Sequence, residues 1–331
     1  MAKITYGNHH LQTEDGESVL DTLLRNNIDA AYSCKVGVCQ TCIMQCSNGQ
    51  LPEAAQAALK PNLREQGYFL SCQCYADDDL DIKLAENEAL FISARLIEKE
   101  YLSPTVCRLR LQTAIPLFYH AGQFINVKRA DGLIRSYSLA SLPSEDNSLE
   151  LHVKRMDNGD MSQWITNEFQ IGDSLEIDGP IGDCFYPTNT TNQPILLVGS
   201  GTGLAPLIGI LRDALHNNHT APIYLYHAAF TEEELYMDKE IKEIISTANN
   251  VHYKPIVTKH MTENHVVSGR ACEVALVDHP KLNDWQVFIC GAPAMVKFMQ
   301  QRAFLAGAGM QCIHTDPFET KELRTETRDS E

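Results

Sequence analysis

The chain has 331 residues, of which 44% are hydrophobic and 21% are charged, and 27 basic against 43 acidic residues give a net charge of −16. This length predicts two or three domains, and the composition excludes collagen-like, low-complexity and wholly disordered chains. There is no apolar run long enough for a membrane helix, the N-terminus lacks a signal peptide, and so acidic a chain is unsuited to nucleic acid or anionic lipid. We therefore expect a cytoplasmic monomer with no membrane and no nucleic-acid partner.

Residues 1–88 are predicted to form the first domain, which holds 6 basic and 13 acidic residues. Two short strands come first, then a helix with Ser18 as its N-cap, a cysteine-rich loop and a last strand at Leu80–Leu84. Six of the 11 cysteines of the chain fall within 41 residues of this domain. Because a chain without an export signal lies in a reducing compartment, this clustering indicates a metal site rather than disulfides.

The first three cysteines of the loop have the spacing C-x4-C-x2-C, and a fourth follows after 29 residues. This is the spacing with which plant-type ferredoxins hold a [2Fe–2S] cluster, and Gly37 supplies the positive φ that a tight loop needs. The predicted ligands are Cys34, Cys39, Cys42 and Cys72.

Other assignments of these cysteines stay open on chemistry alone. Zinc and free core thiols are the two alternatives, although zinc sites generally use paired C-x2-C spacings. Either Cys46 or Cys74 could be a ligand, but the run Leu70-Ser71-Cys72-Gln73 favours Cys72, so that we interpret the other two as buried or idle thiols.

Residues 89–189 contain short strands separated by turn sequences, which predicts a small antiparallel barrel, with one helix at Ser162–Phe169. The polar run Thr188–Gln193 is the predicted linker. Residues 190–318 alternate apolar strands with helix patterns, which predicts a parallel α/β domain. Residues 319–331 contain eight charges and are expected to be a disordered tail.

A glycine-rich segment, Gly199-Ser200-Gly201-Thr202-Gly203, directly follows the predicted strand Ile195–Val198. A strand-to-helix turn of this composition suits a pyrophosphate, because free N–H groups at a helix N-terminus face the ligand. The segment does not match G-x-G-x-x-G, since Leu204 stands where the last glycine would be.

With these motifs the chain resembles, over about residues 1–318, the NADH-dependent oxygenase reductases, which fuse a plant-type ferredoxin domain to a ferredoxin–NADP reductase-like module. Three motif groups carry the resemblance in the expected order: Ala31–Cys42 with Tyr68–Gln73, Arg135-Ser136-Tyr137-Ser138, and the glycine-rich segment with Cys290-Gly291-Ala292-Pro293. The resemblance implies a β-grasp ferredoxin domain, an antiparallel flavin-binding barrel and a parallel α/β nucleotide-binding domain.

The resemblance also implies roles for individual residues. Arg135 would pair with the pyrophosphate of FAD, Tyr137 would lie against the isoalloxazine, and Ser138 would hydrogen-bond near its N5. FAD is expected rather than FMN, as is usual for this family. Further flavin-binding residues are expected at Lys154, Gly159, Met161 and Ser162. Those expected to bind the pyridine nucleotide are Gly199, Gly201, Thr202, Gly203, Cys290 and Gly291.

Ser138, Cys290 and Phe318 are the expected catalytic residues. Phe318 belongs to the segment Ile313–Phe318, which resembles the end of the family's module, where an aromatic side chain often covers the flavin. Plain packing is the alternative for Phe318, and a small core residue is the alternative for Cys290.

The implied function is electron transfer from NADH through FAD and the cluster to a protein acceptor, either a terminal oxygenase or an intermediate ferredoxin. The closest likeness is to reductases of Rieske-type ring-hydroxylating dioxygenases, with di-iron monooxygenase and deoxysugar dehydrase reductases as alternatives. A flavin and iron–sulfur redox sensor is a further alternative, but a sensor needs no complete pyridine-nucleotide domain. NADH is expected rather than NADPH, because Phe230 replaces an arginine of many relatives and Glu232–Glu234 would repel a 2′-phosphate.

Overall fold

The computed structural model describes residues 1–85, 91–258 and 266–319, with Asn62 described by its backbone alone. Its described residues form two compact units. The first contains residues 1–85, 91–92 and 126–136, and the second contains residues 93–125 and the described residues from 137 to 319. The domain boundaries at 88/89 and 189/190 remain predictions, and residues 320–331 of the expected tail lie outside the described part.

The N-terminal part of the first unit is a mixed sheet with short helices. Its elements are β1 (Lys3–Tyr6), β2 (His9–Gln12), α1 (Val19–Arg25), β3 (Ile43–Asn48), α2 (Glu53–Gln56), α3 (Pro61–Glu65), β4 (Tyr68–Leu70) and β5 (Leu80–Leu84). The strand order is β2-β1-β5-β3-β4, with β1 and β5 parallel and the other three pairs antiparallel. The β-grasp prediction is confirmed.

Helix α1 forms where the sequence predicts it. The Ser18 side chain accepts a hydrogen bond from the backbone N–H of Asp21, which satisfies one of the unpaired donors of the first turn. Val19, Leu20 and Leu23 are fully buried in the core of this sheet. The cysteine loop thus lies in the segment between this buried helix and β3.

The next elements are mainly antiparallel strands. They are β6 (Ile92–Tyr101), β7 (Val106–Thr113), β8 (Phe124–Lys128), β9 (Ile134–Ser138), β10 (Leu149–Lys154), α4 (Asp160–Asn167) and β11 (Ser174–Ile181). In the second unit β10 pairs with β7 and β7 with β6, both antiparallel, and Leu139 forms a bridge to Leu151.

Helix α4 begins two residues before the predicted start, since Gly159 occupies the N-cap position. No side chain caps this end. At the other end the Lys99 ammonium donates to the backbone carbonyls of Ile165, Thr166 and Phe169 at 2.7–3.0 Å. A cation there pairs with otherwise unbonded carbonyls and with the helix dipole, so α4 is held at its C-terminus.

The last elements of the second unit alternate strand and helix. They are β12 (Ile195–Ser200), α5 (Leu204–His216), β13 (Ile223–Ala229), α6 (Asp238–Thr247), β14 (Val251–Val257), β15 (Val267–Ser268), α7 (Ala271–Asp278), β16 (Gln286–Gly291), α8 (Pro293–Leu305) and β17 (Ile313–Pro317). All strand pairs in the order β15-β14-β13-β12-β16-β17 are parallel, as predicted for this domain.

Alternate residues of β12 belong to different cores. Ile195 and Leu197 lie in one buried cluster, and Leu196 and Val198 lie in another, so both faces of the sheet are covered. Because β12 lies between β13 and β16, the connections leave it in opposite directions. In a sheet of this kind ligands bind beyond the carboxyl ends of the strands at this point.

Candidate cofactor sites

The cysteine loop has a backbone in which three residues take positive φ. These are Lys35, Gly37 and Gln40, with φ of 52°, 82° and 56°. The value at Gly37 agrees with the prediction, and a Cβ there would lie 2.8 Å from Cγ of Gln73. Lys35 and Gln40 are not glycine, so their positive φ could not be predicted from residue type.

Backbone N–H groups of this loop point at sulfur. The Val36 and Cys39 amides donate to Sγ of Cys34 at 3.4 and 3.3 Å, and the Cys34 amide donates to Sγ of Cys39 at 3.3 Å. Donation of this kind stabilises negative charge on sulfur, and in iron–sulfur proteins it tunes the potential of the cluster.

The four predicted ligands meet in two pairs. Cys34 interacts with Cys39 and Cys42 interacts with Cys72, and all four are at most 6% exposed. The Ser71 hydroxyl and amide both donate to the carbonyl of Cys42, which brings the fourth cysteine to the loop. Two dithiol pairs surrounded by N–H donors fit a binuclear cluster with two thiolates for each iron. Within the described residues, no three His, Cys, Asp or Glu side chains converge on a position for one metal ion.

The two ambiguous cysteines lie outside these pairs. Cys74 is fully buried in the core of the first sheet, and burial raises its pKa to about 12. Cys46 on β3 donates from its thiol to the carbonyl of Asn48 at 3.1 Å. Both arrangements support the interpretation of these residues as idle thiols.

Strand β9 contains the predicted flavin motif. Arg135 donates to the carbonyl of Ile134 at 2.8 Å, and the Ser136 hydroxyl donates to Oδ1 of Asn126 at 2.8 Å. Ser138, 7% exposed, donates from its hydroxyl to Oδ2 of Asp316 at 2.6 Å. The strand therefore presents a guanidinium, an aromatic ring at Tyr137 and a hydroxyl within four consecutive residues.

The other predicted flavin residues lie around the start of α4. Ser162 accepts from the amide of Met156 and donates to the carbonyl of Gly159, both at 3.0 Å, so its hydroxyl stabilises the turn. Met161 is 2% exposed, so it is buried beside this turn. Lys154 ends β10, and its ammonium lies 3.7 Å from a carboxylate oxygen of Glu234.

In the glycine-rich turn the backbones approach closely. A Cβ on Gly203 would lie 2.2 Å from the carbonyl oxygen of Cys290, and one on Gly199 would lie 3.2 Å from the backbone of Gly203. Gly201 has φ of 53° and open space around it, and the half-buried Thr202 follows. Close packing of this turn on β16 leaves the N-terminus of α5 facing the end of the sheet, where a pyrophosphate fits.

β17 was not predicted as a strand, and it brings an acid into the site. Its register on β16 places Asp316 opposite Cys290, and the Phe318 amide donates to the carbonyl of Gly291 at 2.8 Å. Burial raises the pKa of the Asp316 carboxyl to about 6, while the bond from Ser138 lowers it. Sequence reasoning placed Ser138, Cys290 and Phe318 in the site but missed Asp316, which lies within the segment it had singled out.

Cys290 is fully buried, and its Sγ lies 3.7 Å from Sγ of Cys184. Burial raises the pKa of the Cys290 thiol well above its usual value, so that the thiol stays protonated at neutral pH. The neutral thiol therefore adds no second negative charge beside the Asp316 carboxyl. Its assignment as a catalytic residue remains a prediction.

A buried histidine contacts the glycine-rich turn. His227, at the end of β13, has Nε2 3.2 Å from the carbonyl oxygen of Gly201, and burial lowers its pKa to about 4. His152 on β10 lies 3.2 Å from the hydroxyl of Tyr236 and 3.0 Å from a carboxylate oxygen of Glu150. The neutral His227 side chain thus stabilises the backbone of the turn at Gly201, a role that sequence reasoning did not identify.

Comparisons with known proteins agree with this arrangement. The iron–sulfur cluster binding domain family matches residues 4–77, the oxidoreductase FAD-binding domain matches residues 93–186, and the oxidoreductase NAD-binding domain matches residues 197–301. In the part of the chain that the structure covers, no helix has the length and apolar character to cross a membrane.

Two curated relatives and one solved structure cover nearly the whole chain. The reductase component of the naphthalene 1,2-dioxygenase/salicylate 5-hydroxylase systems of Ralstonia is 31% identical, over 94% of this chain and 96% of the relative. The CDP-6-deoxy-L-threo-D-glycero-4-hexulose-3-dehydrase reductase of Yersinia pestis is 29% identical, over 86% and 88%. The crystal structure of a cytochrome P450 reductase of Amycolatopsis has a TM-score of 0.68 at 27% identity, over 96% and 99%.

Proposed function

The chain belongs to the reductase components that join a [2Fe–2S], an FAD-binding and an NAD-binding domain, and from that premise we propose that it prefers NADH over NADPH and reduces a Rieske-type oxygenase. The flavin supplies an acceptor for hydride, and the cluster supplies a one-electron outlet to a protein partner. We assign the site residues as predicted, with Asp316 added.

The residues of the chain prepare this chemistry by position and charge. The glycine-rich turn offers N–H groups to the pyrophosphate of the dinucleotide. With a pKa of about 6, the Asp316 carboxyl is mostly ionised at pH 7 and accepts a hydrogen bond from the hydroxyl of Ser138. The oxygen of Ser138 is therefore left to accept a further hydrogen bond, which suits a flavin N–H.

The acidic turn after β13 is the observation that carries the coenzyme preference. Strands β12 and β13 are parallel neighbours paired as far as Ser200 and Ala228, so their carboxyl ends lie at one edge. Glu232–Glu234 follow that edge as a short turn, at the place where the adenosine ribose of a dinucleotide lies in such sheets. Carboxylates there accept from a ribose hydroxyl and repel a 2′-phosphate.

Replacing Phe230 by arginine tests this preference. Phe230 is 52% exposed, and a guanidinium beside the turn would supply the charge-assisted bond that a phosphate needs. We expect kcat/KM for NADPH to rise about ten-fold, with little change for NADH. Phe304→Arg is the matched control, since Phe304 on α8 is also 52% exposed. A wild-type kcat/KM that favours NADPH would overturn the proposal.

Two features support a Rieske-type acceptor. The relatives with this domain order include components of dioxygenase systems, and the ferredoxin domain is strongly acidic, with Asp77, Asp78 and Asp79 exposed just before β5. Such a surface steers association with a basic partner, and steering weakens with salt. We place the docking surface for the oxygenase on this acidic segment.

The test compares three acceptors at low and high ionic strength: a purified Rieske oxygenase, a soluble di-iron hydroxylase, and ferricyanide. We expect NADH-driven reduction of the Rieske centre to slow by about ten-fold in high salt, and the Asp77→Asn/Asp78→Asn variant to show a smaller salt effect. Ferricyanide reduction by the same variant controls for damage to the flavin module. Faster reduction of the di-iron hydroxylase than of the Rieske centre would contradict the proposed partner.

A further inference from the structure

A buried polar side chain of the first unit lies among apolar neighbours on β8. Asn126 is 1% exposed, and Phe124, Ile125 and Val127 around it in sequence are buried too. Burying an amide is unfavourable unless its groups are hydrogen-bonded. Asn126 satisfies this condition with two partners from distant parts of the sequence.

The first partner is a cluster ligand and the second belongs to the flavin motif. Nδ2 of Asn126 donates to the backbone carbonyl of Cys39 at 2.9 Å, and Oδ1 accepts from the hydroxyl of Ser136 at 2.8 Å. Only this orientation of the amide is possible, because the Cys39 carbonyl can only accept a hydrogen bond and must therefore face the NH2 group of Asn126. One side chain thus joins the Cys39 peptide to the residue between Arg135 and Tyr137.

The Cys39 peptide is held on its other sides as well. Its amide donates to Sγ of Cys34, and the next residue, Gln40, has positive φ and anchors its side chain on the carbonyl of Ala58 at 2.9 Å. These contacts fix the orientation of the peptide between Cys39 and Gln40, and the bond from Asn126 holds its carbonyl toward β8. Loss of that bond would leave a buried carbonyl without its donor.

We propose that Asn126 is a positioning residue for electron transfer from the flavin to the cluster. It links the backbone of ligand Cys39 to Ser136 of the flavin motif, and so completes a hydrogen-bonded route from Ser136 to the ligand. In the step itself one electron leaves the reduced flavin and one ferric ion becomes ferrous, and no bond to Asn126 forms or breaks. The inference rests on the two cofactors and is independent of the coenzyme preference and the terminal acceptor.

The experiment uses the FAD- and cluster-loaded chain with Asn126→Ala, Ser136→Ala, Ser136→Thr and, as a matched control, Asn48→Ala on the exposed end of β3. After mixing with NADH, stopped-flow absorbance follows the rate at which the cluster is reduced, and ferricyanide reduction reports the flavin alone. Iron content, the electron paramagnetic resonance signal of the reduced cluster and its midpoint potential are measured on the same samples. Hydrogen exchange of the loop amides reports local opening.

We expect Asn126→Ala to slow cluster reduction and to speed exchange of the loop amides, each by about ten-fold, while ferricyanide reduction is unchanged. Ser136→Ala should slow cluster reduction less, Ser136→Thr should restore it, and Asn48→Ala should have no effect. The double variant Asn126→Ala/Ser136→Ala should be no slower than Asn126→Ala alone, because both act through one route.

Several results would overturn the proposal. One is a normal rate of cluster reduction in cluster-loaded Asn126→Ala, and another is additive slowing in the double variant. If Asn126→Ala fails to hold its cluster, Ser136→Ala decides, since it keeps the bond from Asn126 to Cys39. A full cluster reduced at the wild-type rate in Ser136→Ala would then reject the route.

Discussion

The cysteine loop at residues 34–42 and the glycine-rich turn at residues 199–203 are both proposed to bind a charged group, but they differ in which atoms would form the site. In the loop the cysteine side chains would be the ligands, and the backbone N–H groups of Val36 and Cys39 both donate to Sγ of Cys34. In the turn the backbone itself would be the site, and a Cβ on Gly203 would overlap the backbone of Cys290.

This difference sets what each segment tolerates. Lys35 and Gln40 take positive φ although they are not glycine, and the bonds that the cysteines would make to a bound cluster would offset this strain of roughly 1–2 kcal/mol at each position. The turn has no such bonds, so its shape depends on the absence of side chains. We therefore expect the cluster site to lose its group when a ligand side chain is removed. We expect the phosphate site to bind less tightly when a side-chain atom is added.

Removing a ligand should give the largest effect. In Cys39→Ser the cluster loses a thiolate, and we expect its visible absorption and the reduction of cytochrome c to fall to background. The flavin and nucleotide domains have their own cores, so NADH-driven ferricyanide reduction should persist. Cys74→Ser is the matched control, because that buried thiol belongs to neither sulfur pair. A Cys74 variant without a cluster, beside a Cys72→Ser variant that keeps one, would reverse the ligand assignment.

Substitution of Arg135 should remove the flavin and leave the cluster in place. Without the guanidinium of Arg135, the pyrophosphate of FAD loses a charge-assisted partner. We expect Arg135→Ala to release FAD and to lose both ferricyanide and cytochrome c reduction, while the absorption of the cluster stays. Retention of stoichiometric FAD after gel filtration would show that Arg135 does not hold it.

Adding one methyl group to the turn should give a smaller effect. Gly203→Ala forces the turn away from β16, and we expect KM for NADH to rise about ten-fold with a loss of about 1–3 kcal/mol in the free energy of unfolding. Gly203 has φ of −59°, which alanine adopts readily, so the loss would come from the overlap with Cys290 and not from backbone conformation. Steady-state kinetics and urea unfolding measure both quantities. An unchanged KM would show that the close approach is not needed.

Asp316 offers the smallest effect, one that depends on pH. Burial raises its pKa from 3.8 to about 6, so between these values the folded chain keeps a proton that the unfolded chain releases. Its contribution to the free energy of unfolding therefore decreases as the pH rises from 4 to 6, by about 2–3 kcal/mol.

Urea unfolding of the FAD-loaded wild type and of Asp316→Asn at a series of pH values measures this contribution. We expect the stability of the wild type relative to the variant to fall over that range and to level off above pH 7. Ser138→Ala removes the bond that lowers the pKa, so the fall should move to higher pH. A difference that is independent of pH would show that the carboxyl does not titrate there.

Much of the fold and part of the site follow from local sequence. The Ser18 cap, the cysteine spacing and the strand before Gly199 each depend on residues close together in the chain, where chemistry and geometry are tightly linked. Asn126 and Asp316 depend instead on partners 87 and 178 residues away. In the sequence Asn126 is visible only as a polar residue within an apolar strand, and Asp316 only as an acid before a proline. Neither feature indicates which residue would be its hydrogen-bond partner.

Among the described residues, β17 is the last strand of its sheet in sequence and is therefore the last to be synthesised. Until Ile313–Pro317 are made, β16 has an open edge, and such edges promote association with other chains. A product that stops before Ile313 contains the glycine-rich turn and Cys290 but lacks Asp316 and Phe318. We therefore expect a chain interrupted there to contain the glycine-rich turn but not the acid proposed beside it, and the edge of β16 to be covered only when β17 has been made.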